Sequence, residues 1–240
     1  MKLIVDIGNT FTKLGVSNKI NTISNIVRYK NNSLSIINYI NTYKFTKAII
    51  SNVGQSNNDL IRWLRKNNTQ IIHFNYKTLI PIKILYKTPE TLGLDRLAAI
   101  VGAYTLYKNS NILIIDAGTA LTIDFINNKG EYLGGNISPG LNIRFKSLNT
   151  FTEKLPLETQ SNIFNFIGNT TKTAVISGVQ QGMINEIEGY INYFKEKYEN
   201  LRVLLTGGDS FFFEKNIKNT IFANSELVLI GLNNILLYND

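Results

Sequence analysis

Ile4-Val5-Asp6-Ile7-Gly8-Asn9-Thr10 and Ile114-Ile115-Asp116-Ala117-Gly118-Thr119-Ala120 are two copies of one pattern, the second beginning 110 residues after the first. In each, an apolar β-branched run ends in Asp-x-Gly and a polar residue. The run reads as a strand, and glycine lets the chain reverse at its end. A second strand follows in both places, Thr12–Val16 after the first copy and Leu121–Asn127 after the second. A 110-residue offset is too long for a solenoid repeat. It suits two copies of one α/β domain, expected at residues 1–108 and 109–240.

Outward from these hairpins, strand and helix signals alternate. Ile20–Tyr29 reads as a third strand, and Ser33 caps a helix carrying Leu34, Ile37 and Ile40. Ala48–Asn52 is a β-branched run, Ser56 opens a helix to Asn67 with Asp59 in a capping-box position, and Ile71–Phe74 is a short strand. A helix is expected over Thr91–Tyr107. In the second half, Tyr132–Ile137 and Leu201–Leu205 read as strands and Glu226–Tyr238 as the closing helix. Asn169–Tyr198 has helical spacing but contains Gly178, Gly182 and Gly189, which predict close packing or a break.

Composition narrows the chemistry. The 240 residues include no cysteine and one histidine, His73. Disulfides, thiolate zinc sites and cysteine nucleophiles are excluded, and Ser-His-Asp catalysis has little to draw on. His73, between Ile72 and Phe74, reads as structural. No apolar run reaches the roughly 18–20 residues of a membrane span, and no signal-peptide layout opens the chain; a cytoplasmic location is expected. The net charge of +8 favours an anionic partner, but frequent Lys, Asn and Ile together also fit an A/T-rich coding bias. No basic block or nucleic-acid motif is present, so no nucleic-acid partner is expected. The absence of a Gly-x-x-x-x-Gly-Lys-Ser/Thr loop excludes a P-loop enzyme.

The hairpins suit phosphate. Backbone N–H groups in such a turn form an anion nest, and the hydroxyls of Thr10, Thr12 and Thr119 can donate to phosphate oxygens. Asp6 and Asp116 cannot bind phosphate directly. They fit as ligands, direct or through water, of a hard cation. Gly93-Leu94-Asp95-Arg96 opens the long helix: Asp95 can take a proton from an alcohol, and Arg96 can fork onto an anionic group. An acid at a helix start with its arginine in a surface pair is the plainer alternative. Thr206-Gly207-Gly208 allows a flat ring such as a purine to approach the backbone, and Asp124 on the second hairpin faces either the cation or the other domain.

Taken together these motifs resemble the type III pantothenate kinases, of the acetate and sugar kinase/Hsp70/actin superfamily. The resemblance runs nearly the whole length, through Asp6–Thr10, Gly93–Arg96, Asp116–Asp124, Tyr132–Leu141, Asn169–Thr171 and Thr206–Gly208. It implies an α/β fold of two duplicated ribonuclease-H-like (actin-like ATPase) domains with an interdomain active-site cleft. It implies phosphorylation of pantothenate to 4′-phosphopantothenate by ATP, the first step of coenzyme A biosynthesis. By position, Asp6, Ile7, Gly8, Asn9, Thr10, Phe11, Thr12 and Lys13 would bind ATP, with Thr119. Asp95 would be the proton acceptor. Tyr86, Gly93, Leu94, Asp95, Arg96 and Thr171 would contact pantothenate, with Thr170 and Thr173 close enough to exchange with Thr171. Asp116 would hold a monovalent cation, K+ or NH4+, and Mg2+ would accompany the ATP. A homodimer is implied. Leu94 and Ala117 stand where the family more often has alanine and phenylalanine.

Overall fold

The computed structural model describes residues 1–8, 11–19, 22–31, 33–52 and 58–240. The chain divides into two units. The first holds residues 1–108, 130–132 and 226–240, the second residues 109–129 and 133–225. A single cut at residue 108 would leave the closing helix with the second unit, whereas here it belongs to the first.

In the first unit, β1 (Lys2–Ile7), β2 (Phe11–Lys19) and β3 (Thr22–Lys30) form an antiparallel meander. β4 (Lys47–Asn52) and β5 (Gln70–His73) extend it in parallel, giving the order β3-β2-β1-β4-β5. Parallel strands need crossovers, which α1 (Ser33–Ile40) and α2 (Asn58–Lys66) supply. Ser56, expected to open α2, lies outside the described residues.

Side chains alternate across a strand. Leu3, Val5 and Ile7 of β1 pack with Leu14, Ile36, Ile40, Ile50, Leu60 and Leu64 on one face. Lys2, Ile4 and Asp6 point to the other, where Lys2 and Lys47 both pair with Asp240 beyond α7 (Leu227–Tyr238). α7 packs on α3 (Leu94–Leu106) at very short range. A Cβ at Gly231 would stand 1.8 Å from the Ala98 carbonyl oxygen, and one at Gly102 2.1 Å from that of Leu227. A 3-10 turn at Pro89–Thr91 leads into α3, and β6 (Lys83–Ile84) pairs with Glu131–Tyr132.

The second unit repeats the opening hairpin in β7 (Ile112–Ala117) and β8 (Ala120–Ile126). With β9 (Glu131–Pro139), β10 (Arg202–Thr206) and β11 (Phe222–Ala223), the order is β11-β10-β7-β8-β9. Leu113, Ile115, Leu121, Ile123 and Phe125 face a core completed by α4 (Leu141–Thr150), α5 (Thr171–Lys197) and α6 (Ser210–Asn216). α5 runs unbroken for 27 residues. Added Cβ atoms at Gly178, Gly182 and Gly189 would meet nothing within 4 Å, so neither close packing nor a break accounts for these glycines.

Candidate active site

Asp6 is the penultimate residue of β1, in register with Lys13 on β2 and with Ser51 on β4. The turn beyond it is closed by the Gly8 N–H, which donates to the Phe11 carbonyl at 3.0 Å. Asn31 braces this hairpin twice: its Nδ2 donates to the Gly8 carbonyl at 2.9 Å, and its Oδ1 accepts from Thr12 Oγ1 at 2.9 Å. Thr12 is fully buried, so its hydroxyl holds the hairpin in shape. The Phe11 ring lies 3.8 Å from the Arg28 guanidinium carbon, and Ile7 belongs to the core. Of the expected nucleotide stretch, Asn9 and Thr10 lie outside the described residues.

Asp95 sits in the first turn of α3, and its Oδ1 accepts from the Arg96 backbone N–H at 2.8 Å. A Cβ on Gly93 would come 2.7 Å from that same oxygen, so glycine is what leaves room for the carboxylate. The fold brings Asp95 and Asp6 together. Burial first, and then the negative charge of Asp95, push the Asp6 carboxyl up to about 6, against a smaller opposing effect of Lys13. Asp6 Oδ1 is buried with no hydrogen-bond partner. Two neighbouring carboxylates, one with an unpaired buried oxygen, fit a hard cation.

Arg96 is buried, at 7% exposure, and not at the surface where the plainer alternative would put it. Its Nη2 donates to the Tyr132 hydroxyl at 3.1 Å. Tyr86 stacks on Tyr132 with centroids 6.0 Å apart, a placement set by β6 pairing with Glu131–Tyr132. The expected substrate residues Tyr86, Gly93, Leu94, Asp95 and Arg96 thus belong to one unit, with Tyr132 linking Tyr86 to Arg96. Sequence reasoning gave Tyr132 no role, although it heads the Tyr132–Leu141 motif. Asn31 and Ser51 carried no motif signal.

In the second unit, Asp116 is the penultimate residue of β7, in register with Thr122 and with Thr206. Cβ atoms on Gly207 and Gly118 would lie 2.5 and 3.2 Å from Asp116 Oδ1, so a side chain at either position would crowd the carboxylate. Gly207 also has φ +97°, which side chains rarely adopt, and open space surrounds Gly208. Thr119 is exposed at the hairpin tip. Asp124 is buried, and Gly135 passes so near that a Cβ would stand 2.3 Å from its Oδ1. Burial raises the Asp209 carboxyl. At the start of α5, Thr170 and Thr173 cap the helix reciprocally, while Thr171 is exposed. His73 is exposed on the edge strand β5 and supports no core packing. Among the described residues no three His, Asp or Glu side chains cluster as a metal cage, and no helix is long and apolar enough to cross a membrane.

Two mixed sheets, each opened by an Asp-x-Gly hairpin, make a duplicated α/β fold of the actin-like ATPase class. Solved structures share it. A Campylobacter jejuni protein named as a Baf family transcriptional activator is 21% identical, covering 99% of this chain and 98% of that one, with a TM-score of 0.62. A ROK family glucokinase from Streptomyces griseus, 11% identical, covers 99% of both chains with a TM-score of 0.54. At these identities the likeness is one of fold alone. The family model for type III pantothenate kinase matches residues 2–193, and the chain belongs to that family. The type III pantothenate kinase of Phocaeicola vulgatus is 44% identical over 241 residues, covering 100% of this chain and 99% of that protein. The chain is accordingly a kinase, a transferase that uses ATP.

Proposed function

We propose that this kinase transfers the γ-phosphoryl group of ATP in line to the primary hydroxyl of pantothenate, with Asp95 as proton acceptor. The observation that carries the reading is the pairing of Asp95 with Asp6 within one unit, beside the residues the family resemblance gives to pantothenate. Phosphoryl transfer needs positioning and charge neutralisation more than covalent help. Gly93 leaves the Asp95 carboxylate room to take the hydroxyl proton. Arg96, Tyr86, Gly93 and Leu94 hold the acceptor. The family resemblance adds Thr171, while Thr170 and Thr173 are committed to the helix cap. Asp6, Gly8 and Lys13, with Asn9, Thr10 and Thr119, hold the nucleotide.

Mg2+ fits Asp6, whose unpaired buried oxygen suits a hard ion held by one or two carboxylates and substrate phosphates. Bound there, it would neutralise phosphate charge. A monovalent cation, K+ or NH4+, fits Asp116, where the glycines leave room. The same reading carries a homodimer and a cytoplasmic location.

The test is ADP release with ATP and magnesium, with and without pantothenate, in potassium and again in sodium. Pantothenate-dependent turnover that collapses in sodium is expected. Turnover in both salts would remove the role of Asp116, and no dependence on pantothenate would remove the substrate. Asp95→Asn is expected to retain nucleotide binding and lose roughly 10²–10⁴ in turnover, the usual range for a general base.

A further inference from the structure

Asp6, Ser51, Ser177 and Asn233 are the described residues whose buried side-chain polar atoms lack a hydrogen-bond partner. Two of them are neighbours. β1 and β4 run parallel with Asp6 opposite Ser51, so both side chains stand on the same face of the sheet at the carboxyl ends of their strands. Ligands of open α/β sheets gather at such ends. Ser51 is fully buried, and Ala48, Ile49 and Ile50 before it are buried and apolar. A hydroxyl at this place is unfavourable for folding unless something pairs with it. Parallel neighbours are about 4.8 Å apart, yet Asp6 Oδ1 and Ser51 Oγ do not bond each other and each lacks a partner, which leaves both free for one bridging oxygen.

We propose that Ser51 is a positioning residue of the nucleotide end of the site. Its Oγ hydrogen-bonds a water that the Asp6 carboxylate also binds, and that water belongs to the hydration shell of the nucleotide-bound Mg2+. The proposal rests on the reading of Asp6 given above. Mg2+ keeps several of its waters when protein-bound, so a serine need not touch the ion to orient it. The hydroxyl can donate to the water and accept from it, which a carboxylate cannot. The two unpaired atoms are thereby satisfied by one ligand.

The experiment compares wild type, Ser51→Ala and Ser51→Thr in binding the non-hydrolysable ATP analogue AMP-PNP by calorimetry, once with Mg2+ and once with EDTA. The thermal midpoint without nucleotide is measured alongside. Ser51→Ala is expected to weaken binding about 10-fold or more with Mg2+, the range for a lost outer-shell partner, and to leave binding in EDTA unchanged. Its midpoint without nucleotide should equal or exceed that of wild type, because an unpaired buried hydroxyl has been removed. Ser51→Thr keeps the hydroxyl on a residue suited to a strand and should restore the magnesium effect. Equal loss with and without Mg2+, wild-type affinity in Ser51→Ala, or a lowered midpoint in that variant would each overturn the proposal. A wild-type protein whose AMP-PNP affinity ignores Mg2+ would overturn the reading of Asp6 itself.

Discussion

Replacing Asp6 by asparagine should stabilise the ligand-free protein, and only above acidic pH. The ordinary carboxyl value is 3.8, and the folded protein holds Asp6 at about 6 through burial and the Asp95 charge. Between those values the folded state binds more protons than the unfolded one. Stability from this group is therefore full below pH 3.8 and is lost as pH rises through 6. The step from 3.8 to about 6 corresponds to about 3 kcal/mol; the residue is partly accessible although Oδ1 is buried, so about 2–3 kcal/mol is the working range. Asparagine keeps the shape and cannot ionise.

Urea unfolding of both proteins at intervals from pH 4 to 8, without nucleotide or divalent cation, would measure this. The expected difference grows by about 2–3 kcal/mol in favour of Asp6→Asn between pH 4 and 7 and is flat above. Carbon NMR titration of the Asp6 carboxyl gives the value directly. In Asp95→Asn it should fall part of the way back towards 3.8, because burial is the larger cause. A pH-independent difference between the variants, with an Asp6 carboxyl titrating near 4, would refute both the burial and the carboxylate pairing.

Gly93→Ala places a methyl 2.7 Å from Asp95 Oδ1; an acceptor displaced by about 1 Å can lose roughly 10² in rate, and steady-state kinetics should show this in kcat with the thermal midpoint nearly unchanged. Asn31→Ala removes both braces of the first hairpin and should raise the KM for ATP more than that for pantothenate; equal changes in the two would count against the bracing role. Gly182→Ala, in open helix, should stabilise by about 0.5–1 kcal/mol. Gly207→Ala, with positive φ and a contact near 2.4 Å to the Ala117 carbonyl, should destabilise by about 1–3 kcal/mol; chemical denaturation of the pair tests whether glycine is required at one place and incidental at the other.

Much of the fold is legible because its signals are local. The β1 and β7 strands carry their apolar runs and their Asp-x-Gly turns in sequence, and both hairpins form as expected. α3 begins at Leu94 because a 3-10 turn precedes it, where the periodicity suggested Thr91. What sequence could not show is long-range. Gly102 and Gly231 look like ordinary helix defects until α3 and α7 are seen nearly touching. Asp95 meets Asp6, 89 residues earlier, through tertiary packing that no spacing rule supplies. Asn31 and Ser51 are common polar residues in unremarkable contexts, and only the register of β1, β2 and β4 makes them neighbours of the hairpin.

The two hairpins have diverged in ways that match their different proposed roles. In the first, Asp6 stands opposite Lys13 and near Asp95, so two negative charges and one positive one share a partly dry site. Such a set is poised for an ion that arrives with further negative charge, as a magnesium nucleotide does. In the second, the residue opposite Asp116 is Thr122, which brings a neutral hydroxyl where the first copy has an ammonium. No lysine competes from that position for an ion at Asp116, and Gly118 and Gly207 put no side chain of their own against the carboxylate. The turns differ as well: Gly8 bonds to the Phe11 carbonyl across a wider loop, while Gly118 bonds to that of Ala120 at 3.1 Å. Exchanging the opposed residues tests the division of labour. Thr122→Lys should abolish potassium activation while leaving magnesium dependence intact, and a variant that still responds to potassium as wild type does would place the monovalent cation elsewhere.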